Sequence, residues 1–244
     1  MPLGPPKIEM LWLLRNPRNL GELSELIGKS KQATLHHLKP LLELGLVERM
    51  RSGVYRTSKL GQILFEFGTR LEKFERVVKA AGRFFIEHEL SAIPTEIFEN
   101  IYMLDGCRIN VRENPYELGE VEGILADSDW VKGLSSVYHE RFPEFFASLT
   151  DGRNVELVLT KDVFNVVVER AKAKLNEFLK RGKMYVCDNV RLAFVVAERG
   201  FALALYRLDG VYDAQNILIC RTEDAVRWGL RLFEYYRSIS REIK

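Results

Sequence analysis

Residues 30–39, Ser-Lys-Gln-Ala-Thr-Leu-His-His-Leu-Lys, bring two lysines, a carboxamide and two imidazoles into one short stretch. A carboxamide such as that of Gln32 can address adenine through two hydrogen bonds, whereas Lys and Arg suit phosphates. We therefore expect a DNA-binding surface made of Ser30, Lys31, Gln32, Leu35, His36 and Lys39, with Arg49, Arg51 and Arg56 close behind; His37 is left open. Other chemistry is rejected by spacing. His36 and His37 diverge by about 100° on a helix, whereas helical chelation needs i, i+4 spacing. No cysteine precedes Cys107. Cys107, Cys187 and Cys220 are odd in number and sit far apart in apolar segments, which reads as buried thiols rather than a disulfide framework or metal ligands. No glycine-rich phosphate loop, Ser-His-Asp arrangement or paired metal motif is found. We expect no catalytic residue, cofactor or metal.

The elements that would present the basic residues can be read from local signals. A first helix spans about residues 6–15, with Pro6 suited to its first turn, Ile8, Leu11 and Trp12 on one face and Pro17 ending it. Asn19 caps a second helix whose inward stripe is Leu20, Leu23, Leu26 and Ile27, and Gly28 stops it. Ser30 caps the third, which buries Thr34, Leu38, Leu41 and Leu42 and ends at Leu44-Gly45. The period then changes to alternation over residues 46–51 and 54–57 about a Ser52-Gly53 turn, a basic hairpin. Three short helices and a basic hairpin make a winged helix.

The stretches Leu23 to Ser30, Thr34 to Leu38 and Leu41 to Val47 resemble the ArsR-like winged-helix regulators of bacteria and archaea. Charge agrees: residues 1–65 carry ten Lys and Arg against five Glu, a net +5 that leaves −3 for the remainder of a chain whose total is +2. With 244 residues, 47% of them hydrophobic, two domains are expected. The longest apolar runs, such as residues 192–197, are far below the roughly 18 residues that span a bilayer, and residues 1–6 lack the regions of a signal peptide. We expect a cytoplasmic protein without a membrane partner.

From Gln62 to about Leu90 the pattern is helical, and Leu64, Phe67, Leu71, Phe74, Val78, Ala81 and Phe85 recur in steps of three and four. Such a seam either pairs with its twin or packs on the chain's own second domain, and Val77 and Phe84 allow both. We expect a homodimer, since dimeric winged helices bind half-sites about one helical turn apart.

Beyond Pro94 strands and helices alternate: strands near 131–138, 155–160, 185–187, 192–198, 201–207 and 217–220, and helices from about 141, from 162 to 181 and from 223. The sheet should be mixed, parallel first and antiparallel later. Ser135 to His139, Val155 to Thr160, Asp188 to Arg191, Leu208 to Asp213 and Ala225 to Gly229 resemble the second domain of the archaeal methanogenesis regulatory protein (FilR-like) family. That resemblance implies a transcriptional regulator whose second domain senses a small ligand. The region is also distantly similar to half of a phospholipase D-type α/β fold. Those enzymes need His, Lys two residues on and Asp six residues after the His; His139 is followed by Glu140 and Arg141, and His37 with Lys39 lacks the Asp.

Ligands of such sheets lodge beyond the carboxyl ends of parallel strands. Ser136, Tyr138, His139, Thr160, Lys161 and Arg191 fall at readable strand ends or turns and would suit a small anionic effector; solvated loops and helix caps are the plainer alternative. Trp228 reads as core. The overall expectation is an α+β protein with a winged helix-turn-helix at 1–65, a linker and dimerisation helix at 62–91 and a mixed α/β domain at 92–244 with phospholipase D-like topology but not its motif. The expected function is that of a sequence-specific transcriptional regulator that binds double-stranded DNA and is modulated by a small ligand or partner at the second domain. The alternative is a constitutive, chromatin-associated DNA-binding protein whose second domain only dimerises, and a third reading is a phosphodiesterase-type enzyme on a DNA-binding module.

Overall fold

A computed structural model describes residues 5–112 and 119–243. Residues 1–4, where the absence of a signal peptide was read, lie outside the described residues. The chain divides into two compact units, Met1–Glu72 and Lys73–Lys244.

In the first unit, helices α1 (Pro5–Leu13), α2 (Leu20–Ile27) and α3 (Lys31–Glu43) precede strands β1 (Val47–Arg49) and β2 (Tyr55–Thr57). The Asn19 side chain accepts from Glu22 N–H while the Glu22 carboxylate accepts from Asn19 N–H, a reciprocal cap that starts α2. Gly28 ends α2 at φ 67°, a left-handed conformation that only glycine adopts cheaply, which permits the tight entry into α3. Leu23, Leu38, Leu41, Val47 and Tyr55 close the core with Met10, Leu11 and Leu14. Two expected inward residues face out instead: Trp12 and Leu26 are exposed, since α1 turns Met10, Leu11 and Leu13 inward and α2 turns Leu23 inward. The hairpin pairs Glu48 with Arg56, and the Arg18 backbone exchanges two hydrogen bonds with Tyr55 as a further rung.

Helix α4 (Lys59–Glu87) follows; Leu64 packs on the first unit's core, while Val77, Ala81, Phe84 and Phe85 belong to the core of the second. Among the described residues that unit is built on an eight-stranded sheet in the order β10-β6-β5-β4-β7-β8-β9-β3. Its strands are β3 (Arg108–Val111), β4 (Trp130–Ser135), β5 (Asn154–Thr160), β6 (Lys183–Cys187), β7 (Leu192–Ala197), β8 (Gly200–Leu205), β9 (Asn216–Cys220) and β10 (Arg241–Ile243). β4, β5 and β6 pair in parallel, and every other pairing is antiparallel, so the mixed sheet has the expected sense.

One face of the sheet carries Leu134, Phe194, Phe201, Leu203 and Leu218 against α10 (Glu223–Ser238), α5 (Thr95–Phe98) and a 3₁₀ turn at Ile101–Leu104. Trp228 is fully buried there, its indole N–H donating to the Ile97 carbonyl at 2.9 Å. The other face carries Val131, Val155, Leu157 and Leu159 under α6 (Glu120–Ala126), α7 (Phe142–Leu149), α8 (Lys161–Arg170) and α9 (Lys172–Leu179). Burial on both faces explains why β5 reads as an unbroken apolar run around Glu156.

The helix expected at 162–181 is two helices, broken at Ala171, whose φ of −137° leaves the helical region. The reading of all three cysteines as thiols is also corrected. Cys107 and Cys220 form a disulfide, because the β3–β9 register that pairs Arg108 with Ile219 brings their Cα atoms to 4.3 Å; Cys187 is free and buried.

Candidate nucleic-acid interface and effector cavity

The hydroxyl of Ser30 accepts from Ala33 N–H at 3.2 Å, so Ser30 starts α3 as its cap. Lys31, Gln32, His36 and Lys39 are exposed along the outer face of α3. Leu35 is not part of that face: it is partly buried against the unit's core, one turn from Leu38. His37 is partly buried and stands edge-on to His36, with ring centroids 5.6 Å apart. In the hairpin Arg49, Arg51 and Arg56 are exposed, but they are not equivalent. Arg56 Nε donates to Glu48 Oε1 at 2.6 Å, and the Arg49 guanidinium lies 5.8 Å from the centre of the Tyr55 ring. Arg51 sits in the turn itself.

Along α4 the expected seam separates into two kinds of residue. Ala81 is buried and Leu64 and Phe85 are partly buried in cores of the chain itself, whereas Phe67, Leu71, Phe74 and Val78 are 60, 60, 42 and 48% exposed. The central part of the seam is therefore an apolar stripe facing outward.

The six expected effector residues do not share one rim. Tyr138 and His139 line a half-open pocket of about 130 Å³ between the sheet and α6–α9. Ser136 Oγ lies 3.3 Å from the Tyr206 hydroxyl, and Thr160 is buried at the start of α8. Lys161 pairs with Asp188 at 2.5 Å, which raises its pKa, and lines a separate cleft with Phe164, Cys187 and Arg241. Arg191 pairs with Glu89 at 2.8 Å. Burial pushes the Cys187 thiol up to about 11, so it stays protonated and unreactive near neutral pH.

The cavity exists because small residues meet in the sheet. Gly133 on β4 pairs with Val195 on β7, Val195 pairs with Ala202 on β8, and Ala193 pairs with Ala204 one row along. Gly133, Ala193, Ala202 and Ala204 all line the space, opposite Phe142, Phe146, Leu175 and Phe178 from the helices. Its polar wall is Arg112, Ser135, Tyr138, His139, Lys174 and Tyr212. Burial draws the Arg112 pKa down from its ordinary value and pushes that of the Tyr212 phenol up. His139 Nδ1 accepts from Arg141 N–H at 3.3 Å, which leaves the ring proton on Nε2. Arg112, Ser135 and Tyr212 were not foreseen; they lie far apart in sequence and only strand register reveals the gap they border.

A family model described as the middle domain of methanogenesis regulatory protein FilR1 matches residues 115–239. One described as bacterial regulatory protein, arsR family, matches residues 9–49. Methanogenesis regulatory protein FilR1 of Methanothrix harundinacea (strain 6Ac) is 28% identical over 249 residues, covering 96% of this chain and 55% of that protein. The chain thus spans about half the length of the curated relative it matches. Two solved structures have low similarity: TrmBL2, described as an archaeal chromatin protein with a novel mode of DNA binding, has a TM-score of 0.47 at 14% identity, covering 97% of this chain and 92% of its own. Pseudomonas aeruginosa HmgR has a TM-score of 0.30 at 13% identity, covering 96% and 93%. Among the described residues no helix is long and apolar enough to cross a membrane, and no three His, Cys, Asp or Glu converge as a metal site.

Proposed function

Because the chain belongs to the family of the FilR1 middle domain and carries an arsR-type helix-turn-helix, we propose that it is a cytoplasmic transcriptional regulator. It binds double-stranded DNA as a homodimer, with Gln32 reading bases and Lys31, His36, Lys39, Arg49, Arg51 and Arg56 holding phosphates. The observation that carries this reading is the capped α3, whose exposed face is polar and basic beside a hairpin with three exposed arginines. The outward stripe of Phe67, Leu71, Phe74 and Val78 supports pairing through α4, where an apolar face of that kind needs a cover.

The second unit modulates DNA binding through a small effector. Support comes from the cavity, which a domain serving only for dimerisation would not require. A phospholipase D-type topology is proposed as architecture at most, since the residues after His139 do not supply the chemistry of those enzymes. Electrophoretic mobility shift against a duplex pool, followed by selection of the bound sequences, tests the reading; retention of no duplex at low salt would refute it.

A further inference from the structure

We infer that Cys107 and Cys220 are a reversible thiol–disulfide modification site, whose bond governs two ion pairs on α4 and, through that helix, the affinity for DNA. For its output the inference rests on the DNA-binding reading proposed above; the site and both ion pairs lie within the second unit.

The bond joins two segments that both hold α4. Asp105, two residues before Cys107, accepts from the Arg76 guanidinium at 2.8 and 3.0 Å. Asp224, four residues after Cys220, accepts from Lys73 Nζ at 2.6 Å. Lys73 and Arg76 stand three residues apart on neighbouring positions of the α4 surface, so the two carboxylates grip the helix as a pair. Thr222 ties the segments a second time. Its hydroxyl donates to the Asp105 carbonyl at 3.4 Å and accepts from Ala225 N–H at 3.3 Å, the cap that starts α10. Bond, cap and grip form one connected cluster, and a shift at Cys107 reaches both contacts with α4.

Reduction produces such a shift. The two cysteines are buried opposite each other at a Cα separation of 4.3 Å, where a bonded sulfur pair fits and two separate thiols need more room. The surrounding core, which includes Leu104, Leu218 and Ala225, leaves them little. β9 is held between two strands, whereas β3 is, among the described residues, an edge strand paired on one side. The segment from Asp105 to Cys107 is therefore the one that yields.

A dithiol supplies the two electrons and two protons. One of its thiolates attacks a sulfur of the pair and the other sulfur leaves to be protonated; its second thiol then resolves the mixed disulfide, so that Cys107 and Cys220 end as thiols and the reagent as a disulfide. Cys187 stays out of the exchange, because burial keeps its thiol protonated. In a reducing cytoplasm, the setting proposed for this chain, a disulfide is ordinarily transient or redox-sensing, which suits a switch better than a permanent staple.

The full chain, equilibrated with oxidised glutathione or with dithiothreitol, tests the inference. On reduction, hydrogen exchange should quicken at the amides of residues 73–80, and affinity for a selected duplex should fall at least about fivefold, the lower end of coupling between sites. Asp105→Asn with Asp224→Asn, which keeps both cysteines, should show fast exchange and weak binding in either reagent. Cys107→Ser with Cys220→Ser should match the reduced wild type and ignore the reagent. Exchange along α4 that is equal in the two states overturns the switch, as does a response that persists in the double serine variant. Collapse of the circular dichroism on reduction also overturns it, in favour of a structural staple. Faster exchange with unchanged duplex affinity overturns the coupling to DNA. Faster exchange with no duplex bound in either state supports the switch and refutes the DNA-binding reading instead.

Discussion

His88 Nε2 lies 3.2 Å from Asp213 Oδ2, both side chains being buried, at the point where the end of α4 meets the turn before β9. The other ring nitrogen donates to the Phe84 carbonyl at 2.6 Å. Asp213 also accepts from Gln215 N–H at 2.9 Å, Asn216 N–H at 3.0 Å and the Asn216 amide at 2.8 Å. Burial pushes its carboxyl up, but the hydrogen bonds from Asn216, Gln215 and His88 outweigh burial and hold its pKa below the ordinary carboxylate value. A depressed folded-state pKa contributes stability that is present above the unfolded value, about 3.9, and is lost as pH falls through the folded value. Melting temperature should therefore fall below pH 4 more steeply in the wild type than in Asp213→Asn. At pH 7 Asp213→Ala should cost about 3 kcal/mol, because it strands His88 and three donors in the interior. Identical pH profiles for wild type and Asp213→Asn would remove the pair from the account.

Base reading by α3 separates from phosphate contact by the wing. Gln32→Ala should cost about 1–3 kcal/mol on a selected site and little on random duplex. Arg51, exposed in the wing turn, should weaken all sequences alike when changed to Ala, with the salt slope flatter by about one unit. Arg56→Ala should do less than Arg51→Ala, since Glu48 already engages its guanidinium. Fluorescence anisotropy across a salt series distinguishes these outcomes; a loss for Gln32→Ala that is equal on both duplexes speaks against base reading.

The stripe on α4 predicts oligomeric state. Leu71→Glu with Val78→Glu places charge in the centre of the proposed seam, and both positions are about half exposed in one chain, so the fold should survive the change. Light scattering should show the wild-type dimer reduced to monomers with unaltered circular dichroism. A wild type that is monomeric at micromolar concentration dismisses the seam as an interface.

The N-terminal fold was legible because its signals are local. Asn19, Gly28, Ser30 and Gly53 each act within four residues, and the structure uses every one as read. Errors there concern which face of a short helix turns inward, as with Trp12 and Leu26, where an i, i+3, i+4 pattern left more than one choice of stripe. The second unit was legible as elements but not as a site. Lys161, Arg191 and Ser136 do stand near strand ends, yet Asp188, Glu89 and Tyr206 occupy them, partners that no spacing rule could name. The cavity depends on Ala193 meeting Ala204 and on Gly133 sharing a row with Ala202, which is a matter of register between strands.

The disulfide is a second consequence of register. Cys107 and Cys220 face one another across β3 and β9, 113 residues apart in the chain, so the bond restrains a long loop of the unfolded state. Thiol titration of the unreduced, denatured protein should count one group, Cys187, and three after reduction. Loss of the bond in Cys107→Ser should lower stability by roughly 2–5 kcal/mol. Three thiols without reductant would mean that the pair stays reduced.

Packing of α10 on the sheet gives a prediction whose sign reverses an ordinary rule. Replacing a glycine inside a helix by alanine usually stabilises by roughly 0.5–1 kcal/mol, because glycine forfeits more backbone entropy on folding. Gly82 in α4 should follow the rule: a Cβ there would lie 3.4 Å from Val78 Cγ1, an ordinary contact. Gly229 in α10 should not. Its Cβ would lie 2.5 Å from Cδ2 and 3.0 Å from Cε2 of Phe201, and 3.1 Å from Cβ of Val196. Phe201 has nowhere to retreat, being fully buried with its ring 5.4 Å from that of Trp228 and 6.3 Å from that of Phe194. Val196 lies within β7, and its Cβ can move only with the backbone. The helix must then lift from the sheet along the row of Trp228, Leu232 and Phe233, at the cost of about 1–3 kcal/mol typical of an overfilled core. For a unit of this size each kcal/mol corresponds to about 2–4 °C in melting temperature. Gly229→Ala should therefore melt several degrees below the wild type and Gly82→Ala slightly above it, and a shift of the same sign in both would contradict the close approach of α10 to Phe201.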